Sequence, residues 1–215
     1  MSLPSSPIPY TPWIATSTGG RFDLLTPYAD QVDWRDIVTH LSNLCRWNGA
    51  LAGDLFYSVA EHSSRVALLV EQMDPSNHRA ALYALLHDGH EAYIGDVSSP
   101  LKRAITRLAT GRTILGNMAL LIDWAIFAAF GLPPMPDDIA EMIKHADLTL
   151  LATEKRDLMT PHPAWQIALP APLTGRIIPN SRLAARENYA RMLANAVRAC
   201  GLELPMRREM EISHD

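Results

Sequence analysis

Apolar positions in this chain recur mostly at helical spacing, in runs separated by proline, glycine and short polar stretches. Asp33 precedes Trp34-Arg35-Asp36 and apolar positions at Ile37, Val38, Leu41 and Leu44, which predicts a capped helix ending near Asn48-Gly49. Ser58-Val59-Ala60-Glu61 has capping-box spacing, with the Ser hydroxyl at the third helical amide and Glu61 reaching back, so a helix is predicted from about Val59 to Met73. Asp74-Pro75-Ser76 breaks it, and the Ala- and Leu-rich stretch from Ala80 to Ala92 predicts another. Gly95-Asp96 and Ser98-Ser99-Pro100 mark a loop before a helix with Lys102 and Arg103 near its start. A long apolar helix follows from Ile114 to Phe130, then one from Pro136-Asp137-Asp138 to about Leu158, and a last one from Arg182 to Cys200, stopped by Gly201. Trp13 to Leu25 alternates around Gly19-Gly20 and predicts a small hairpin, whereas Pro161 to Pro179 is proline-rich and irregular. The expected fold is all-α, a bundle of about seven helices with a small N-terminal β-hairpin. It fills one domain at 13–201, between an extended arm at 1–12 and a polar tail at 202–215.

Composition narrows the function classes. At 215 residues and 48% hydrophobic content the chain suits a single core. Nineteen basic against 23 acidic residues give a net charge of -4, which leaves no positive field for a nucleic-acid polymer. Cys45 and Cys200 form neither a zinc-ligand pair nor a disulfide framework, and the Ser/Pro-rich start lacks a secretion-signal pattern, so a reducing cytoplasm is expected. Ile114 to Leu132 approaches the length of a membrane span, but Asn117 and Asp123 interrupt it and Pro133-Pro134 closes it. It is therefore expected in the core or between subunits, with no membrane as partner.

The candidate chemistry centres on His87-Asp88, which follows Leu85-Leu86 inside an apolar run. Burying two ionisable groups there needs compensation, and a divalent cation supplies it. His62, in the first turn of an earlier helix, offers a second imidazole. In Lys144-His145-Ala146-Asp147 two ligand types compete. At about 100° per residue, Ile139, Ile143, Ala146 and Leu150 form one stripe with Asp147 on its flank, and His145 points away from it. Glu91 stands four residues after His87, on the same helical face, and Asp96 follows at the loop. A carboxylate beside the ligands can take a proton from an attacking water or align it. Mixed imidazole and carboxylate donors suit Co, Mn, Zn, Fe or Ni and disfavour Mg. His90 is a competing pocket residue, and Glu154 a buried structural acid on the Asp147 face.

The series His62, His87-Asp88, Asp147 resembles the H…HD…D ligand pattern of the HD-domain phosphohydrolase superfamily, an all-helical metal-dependent fold. Arg46-Trp47, Val59-Ala60-Glu61-His62-Ser63, and His87-Asp88-Gly89-His90-Glu91-Ala92-Tyr93-Ile94-Gly95-Asp96 through Pro100-Leu101-Lys102 are similar to its bacterial and prophage 5′-deoxynucleotidase branch, over roughly Thr16 to Leu158. The resemblance implies metal ligands at His62, His87, Asp88 and Asp147, and a water-activating or water-positioning role for Glu91 and Asp96. It further implies a phosphate contact at Arg46, a sugar or base contact at Trp47, and a homodimer or larger homo-oligomer. Lys102 is a further candidate phosphate contact. The expected activity is removal of phosphate from deoxynucleoside 5′-monophosphates. The alternative within the superfamily is a triphosphohydrolase that releases triphosphate, with Lys102, Arg103, Arg107 and Arg112 as added cations. A non-catalytic nucleotide sensor would be favoured by loss of Glu91 or Asp96, and both acids are present. A cyclic-nucleotide phosphodiesterase suits the Arg46-Trp47 context less well.

Overall fold

The computed structural model describes residues 12–163, 165 and 167–207. The rest of the expected N-terminal arm and residues 208–215 of the polar tail lie outside the described residues. Strands β1 (Trp13–Ala15) and β2 (Arg21–Asp23) form an antiparallel hairpin with Ile14 opposite Phe22. Helices follow as α1 (Trp34–Asn43), α2 (Val59–Met73), α3 (His78–Leu86), α4 (Glu91–Ile94), α5 (Ser99–Leu108), α6 (Ile114–Ala129), α7 (Asp137–Leu158) and α8 (Arg182–Ala199). The fold is all-α with a small N-terminal hairpin; α4 is a single turn and the other seven helices are longer. Helix α2 is the central element, packed on α1, α3, α7 and α8, and Val66, Val70, Leu82, Leu86, Leu150 and Leu193 fill the space between them.

Local chemistry explains the boundaries. The Ser58 side chain accepts from the Glu61 amide at 3.1 Å and starts α2, but the Glu61 carboxylate does not reach back. It accepts instead from Arg65 and from the Asn180 amide and side chain, which ties the segment before α8 onto α2. Helix α1 ends at Asn43 rather than near Gly49, because Leu44 and Arg46 pair with Val59 and Tyr57 across a short antiparallel bridge.

The helix expected over Ala80 to Ala92 is interrupted. After Leu86 the chain runs through four tight turn residues, with i to i+3 hydrogen bonds from Gly89 to Leu86, Glu91 to Asp88 and Ala92 to Gly89. Gly89 permits the run: a Cβ there would meet the Leu86 carbonyl oxygen at 2.9 Å and Ile126 at 3.1 Å. The hairpin braces the far side of this run. Phe22 stacks on Tyr93 with ring centroids 3.7 Å apart. His40 bridges Ala92 O (2.7 Å) and the Ser17 amide (3.1 Å).

Helix α6 is half core and half surface. Ile122, Ala125, Ile126 and Phe127 are buried, while Leu120, Leu121 and Trp124 are exposed. No helix among the described residues is long and apolar enough to cross a membrane.

Asp33 caps α1 and ties it to the C-terminal end of the described residues. It accepts from the Arg35 amide (2.9 Å), the Arg35 guanidinium (2.6 Å) and the Arg207 amide (3.3 Å). Burial alone would raise its pKa, but these contacts outweigh burial and hold it below the ordinary carboxylate value. Its stabilisation is therefore present above the unfolded value near 4 and is lost as pH falls through the lower folded value. Asp33→Ala is expected to lower stability by about 1–2 kcal/mol in urea denaturation at pH 7, and its deficit relative to the parent should shrink below about pH 4.

Candidate metal centre

The bridge between Leu44–Arg46 and Tyr57–Val59 delivers Arg46 to the start of α2. The chain then turns through Trp47 (φ 62°) and Asn48 (φ 53°), both in the left-handed region that disfavours a residue as bulky as tryptophan. The Trp47 indole holds the turn by donating to Glu154 Oε2 at 3.0 Å, and Arg46 Nε donates to the same oxygen at 3.3 Å.

His62 lies in the first turn of α2 and is fully buried. Its Nδ1 is 2.7 Å from Glu154 Oε1, so the carboxylate accepts from Nδ1–H and leaves Nε2 facing inward. That Nε2 sits 3.3 Å from Asp147 Oδ1 and 3.6 Å from Asp88 Oδ2. His87 closes α3 and donates from Nδ1 to the Ala84 carbonyl at 2.8 Å, while its Nε2 sits 3.2 Å from Asp88 Oδ2. Both Nε2 atoms are buried without a hydrogen-bond partner. Donor atoms of His62, His87 and Asp147 all fall within 4.8 Å of one another, so these buried groups can hold a metal ion. Two orphaned imidazole nitrogens aimed at two carboxylates fit a divalent cation, which satisfies both at once.

The electrostatics point the same way. Burial and the Arg46 charge act to lower His62, but Glu154 and Asp147 outweigh them and push it up to about 9. Burial acts to raise Asp147, yet contact with His62 and the charges of His62 and His87 bring it down to about 2. Asp88 is held well below the usual carboxylate range by His87, His62 and Arg46 against its burial. A proton on His62 thus takes the place open to a cation, facing the same acids. Burial, then the Asp88 and Asp96 charges, push Glu91 up to about 10. Burial also raises Asp96, where the Asp88 charge adds to it and Arg46 opposes.

The four expected ligands converge, and His145 is exposed on the other side of α7. Arg46 is at the site but almost buried, with Nη1 3.5 Å from Asp88 Oδ2. Trp47 is fixed by Glu154 and packs against Trp165 at 5.6 Å, so the irregular segment after α7 reaches the site's edge. The Lys102 charge reaches both Glu91 and Asp96. Glu91 is placed differently from expectation. The tight turn brings it next to Asp88 and His90 rather than onto a helical face shared with His87. Glu154 supports His62, Arg46 and Trp47 together, beyond the structural role expected of it; its spacing of two helical turns after Asp147 was the available signal. Asp123, a lone charge in an apolar helix, accepts from His90 Nδ1 at 3.0 Å.

An Escherichia coli K12 protein named "Uncharacterized protein YfdR" is 38% identical over 146 residues, which cover 68% of this chain and 72% of that protein. A Rhodobacter capsulatus protein, also named as uncharacterized, is 39% identical over 137 residues, covering 63% of this chain and 67% of its own length. No protein-family model matches the chain.

Replacing Glu154 by Gln should weaken divalent-metal binding on the order of 10- to 100-fold, because the hydrogen-bond partner that orients His62 loses its charge. In the parent, a cation entering at pH 7 must displace the His62 proton, so apparent affinity should climb with pH until about 9. Calorimetric titrations in buffers of different ionisation enthalpy measure both the affinity and the proton released.

Proposed function

We propose that this chain, which belongs to the same family as YfdR of Escherichia coli, is an HD-domain phosphohydrolase that removes phosphate from deoxynucleoside 5′-monophosphates in the cytoplasm. The observation that carries the proposal is the convergence of the orphaned His62 and His87 Nε2 atoms on Asp147 and Asp88. That donor set suits Mn, Fe, Co, Ni or Zn and is poorly matched to Mg. When bound, such a cation polarises a phosphoryl oxygen and makes water more acidic.

The chain's own residues supply the rest. Arg46, kept charged by Glu154 and Asp88 despite its burial, neutralises charge that develops on the phosphoryl oxygens. Glu91 is buried beside Asp88 and aligns the attacking water. Asp96 is more exposed than Glu91, and it accepts the water's proton and passes it to solvent. Trp47, locked by Glu154, offers a rigid edge to the sugar or base. Release of triphosphate from deoxynucleoside triphosphates is the second reading, favoured by the Lys102 charge near Glu91 and Asp96. The exposed Leu120, Leu121 and Trp124 on α6 support a homodimer or larger homo-oligomer.

Metal-reconstituted protein should hydrolyse deoxynucleoside monophosphates faster than their ribo counterparts and release orthophosphate; triphosphate as product would select the second reading, and no hydrolysis of any nucleotide would reject both. Asp147→Ala should lose bound metal and activity together. Glu91→Gln should keep the cation at His62, His87 and Asp147 while turnover falls on the order of 10²-fold, the scale for a residue acting on the water. Sedimentation at micromolar concentration should show more than one copy per particle, and Trp124→Glu with Leu121→Glu should shift it to monomer.

A further inference from the structure

The segment that follows α7 carries an indole that no step of the proposed reaction uses. It leaves α7 where the Leu158 carbonyl accepts from the Ala52 amide at 2.8 Å. It returns where the Leu173 and Ile177 amides donate to Thr153 Oγ1 (2.9 Å) and Asp157 Oδ2 (2.8 Å). Pro161, Pro163, Pro170 and Pro172 restrict the backbone in between. Trp165 of this segment lies against Trp47, with ring centroids 5.6 Å apart. His162 stacks on the same indole at 5.1 Å with 21° between the planes, and Lys155 Nζ stands 4.5 Å from its centroid. Trp165 is thus held by its neighbours and still keeps part of its surface exposed. An indole already fixed in place loses little freedom when a ligand lands on it.

His162 adds a second observation. Its Nδ1 donates to the Pro163 carbonyl at 2.8 Å, which leaves Nε2 as an acceptor, and that atom is buried with no partner among the described residues. A buried acceptor is costly until a donor meets it.

We propose that Trp165 and His162 form the base-binding wall of the site and that the base they take is a purine with an amino group. This rests on the deoxynucleotide reading of the metal centre. Arg46 and Trp47 are consecutive, with Arg46 at 3.5 Å from Asp88 and Trp47 against Trp165. Phosphate, sugar and base of one nucleotide therefore map onto Arg46, Trp47 and Trp165 in turn. Stacking on an indole favours the wider base, because dispersion between faces grows with the area in contact. The amino group of adenine supplies the donor that His162 Nε2 lacks. Such contacts hold the ground state and the transition state alike, so they act on KM and leave kcat alone. Trp165 is a specificity residue and takes no part in the chemistry.

The test compares the metal-reconstituted full chain with Trp165→Ala and Trp165→Phe on three substrates: deoxyadenosine 5′-monophosphate, deoxythymidine 5′-monophosphate, and deoxyribose 5-phosphate, which has no base. In Trp165→Ala, KM for the adenine nucleotide should rise on the order of 10-fold at unchanged kcat. The preference over the thymine nucleotide should narrow, and deoxyribose 5-phosphate should be hydrolysed as by the parent. Trp165→Phe, which keeps a ring, should recover most of the loss. Calorimetric binding of deoxyadenosine, which has no phosphate, to the metal-free protein should weaken by a similar factor in Trp165→Ala. Equal losses on all three substrates, or an unchanged KM in Trp165→Ala, overturn the wall. A parent that hydrolyses deoxyribose 5-phosphate as well as the nucleotides also overturns it and leaves the phosphohydrolase reading standing. A parent that hydrolyses none of the three rejects that reading; deoxyadenosine binding that depends on Trp165 then still supports the wall, and its absence removes the wall as well.

Discussion

The fully buried carboxylate of Glu154 is the contact on which the site depends. One oxygen takes the His62 Nδ1 proton, and the other takes both the Arg46 guanidinium and the Trp47 indole. A carboxylate without these donors would be costly so deep in the bundle, and Arg46 without the carboxylate would be costlier still. The four groups are therefore interdependent. Burial acts to raise Glu154, but Arg46, His62 and the Tyr57 hydroxyl keep it ionised. Through them, α2, α7 and the turn after α1 are held at one spacing, and His62 is aimed at Asp147 and Asp88.

The turn at His87–His90 is the second constraint. A continuous α-helix would spread His87, Asp88, His90 and Glu91 around its circumference. Tightening the backbone over these residues turns one end of α3 into a ledge that faces two ways: His87 toward His62, and His90 with Glu91 toward Asp123 and Asp96. The N-terminal hairpin, clamped by Asp36 accepting from Ser17 and Thr18, presses on this ledge through Phe22 and Tyr93. A small element at the edge of the fold thereby braces residues at its chemical centre.

Much of this was legible in the sequence. The α2 boundaries followed from Ser58 and Pro75, those of α7 from Pro136, and the end of α8 from Gly201, since capping and breaking residues act locally. The Asp147 choice over His145 followed from helical phase, and the structure places His145 on the exposed face. The break after Leu86 was hidden, because Ala and Leu propensity favours continuation and one of the two contacts that require Gly89 comes from Ile126, far along the chain. Glu154 was visible only as a buried acid. Its partners stand 92, 107 and 108 residues away, so their convergence is a property of the fold. Glu91 sits beside Asp88 and His90 rather than on a helical face shared with His87, since the phase argument assumed 3.6 residues per turn where the backbone has nearer three.

The span of those separations bears on how the protein is made. His62, His87 and Asp88 leave the ribosome early, but Asp147 and Glu154 lie on α7 and emerge some 60 residues after Asp88. Until α7 docks, a nascent chain presents two imidazoles and an acid without the partner that orients His62 or the carboxylate that completes the set. A cation held by these groups would therefore be captured firmly only once α7 has been made, and a chain released before α7 would lack both Asp147 and the partner of His62.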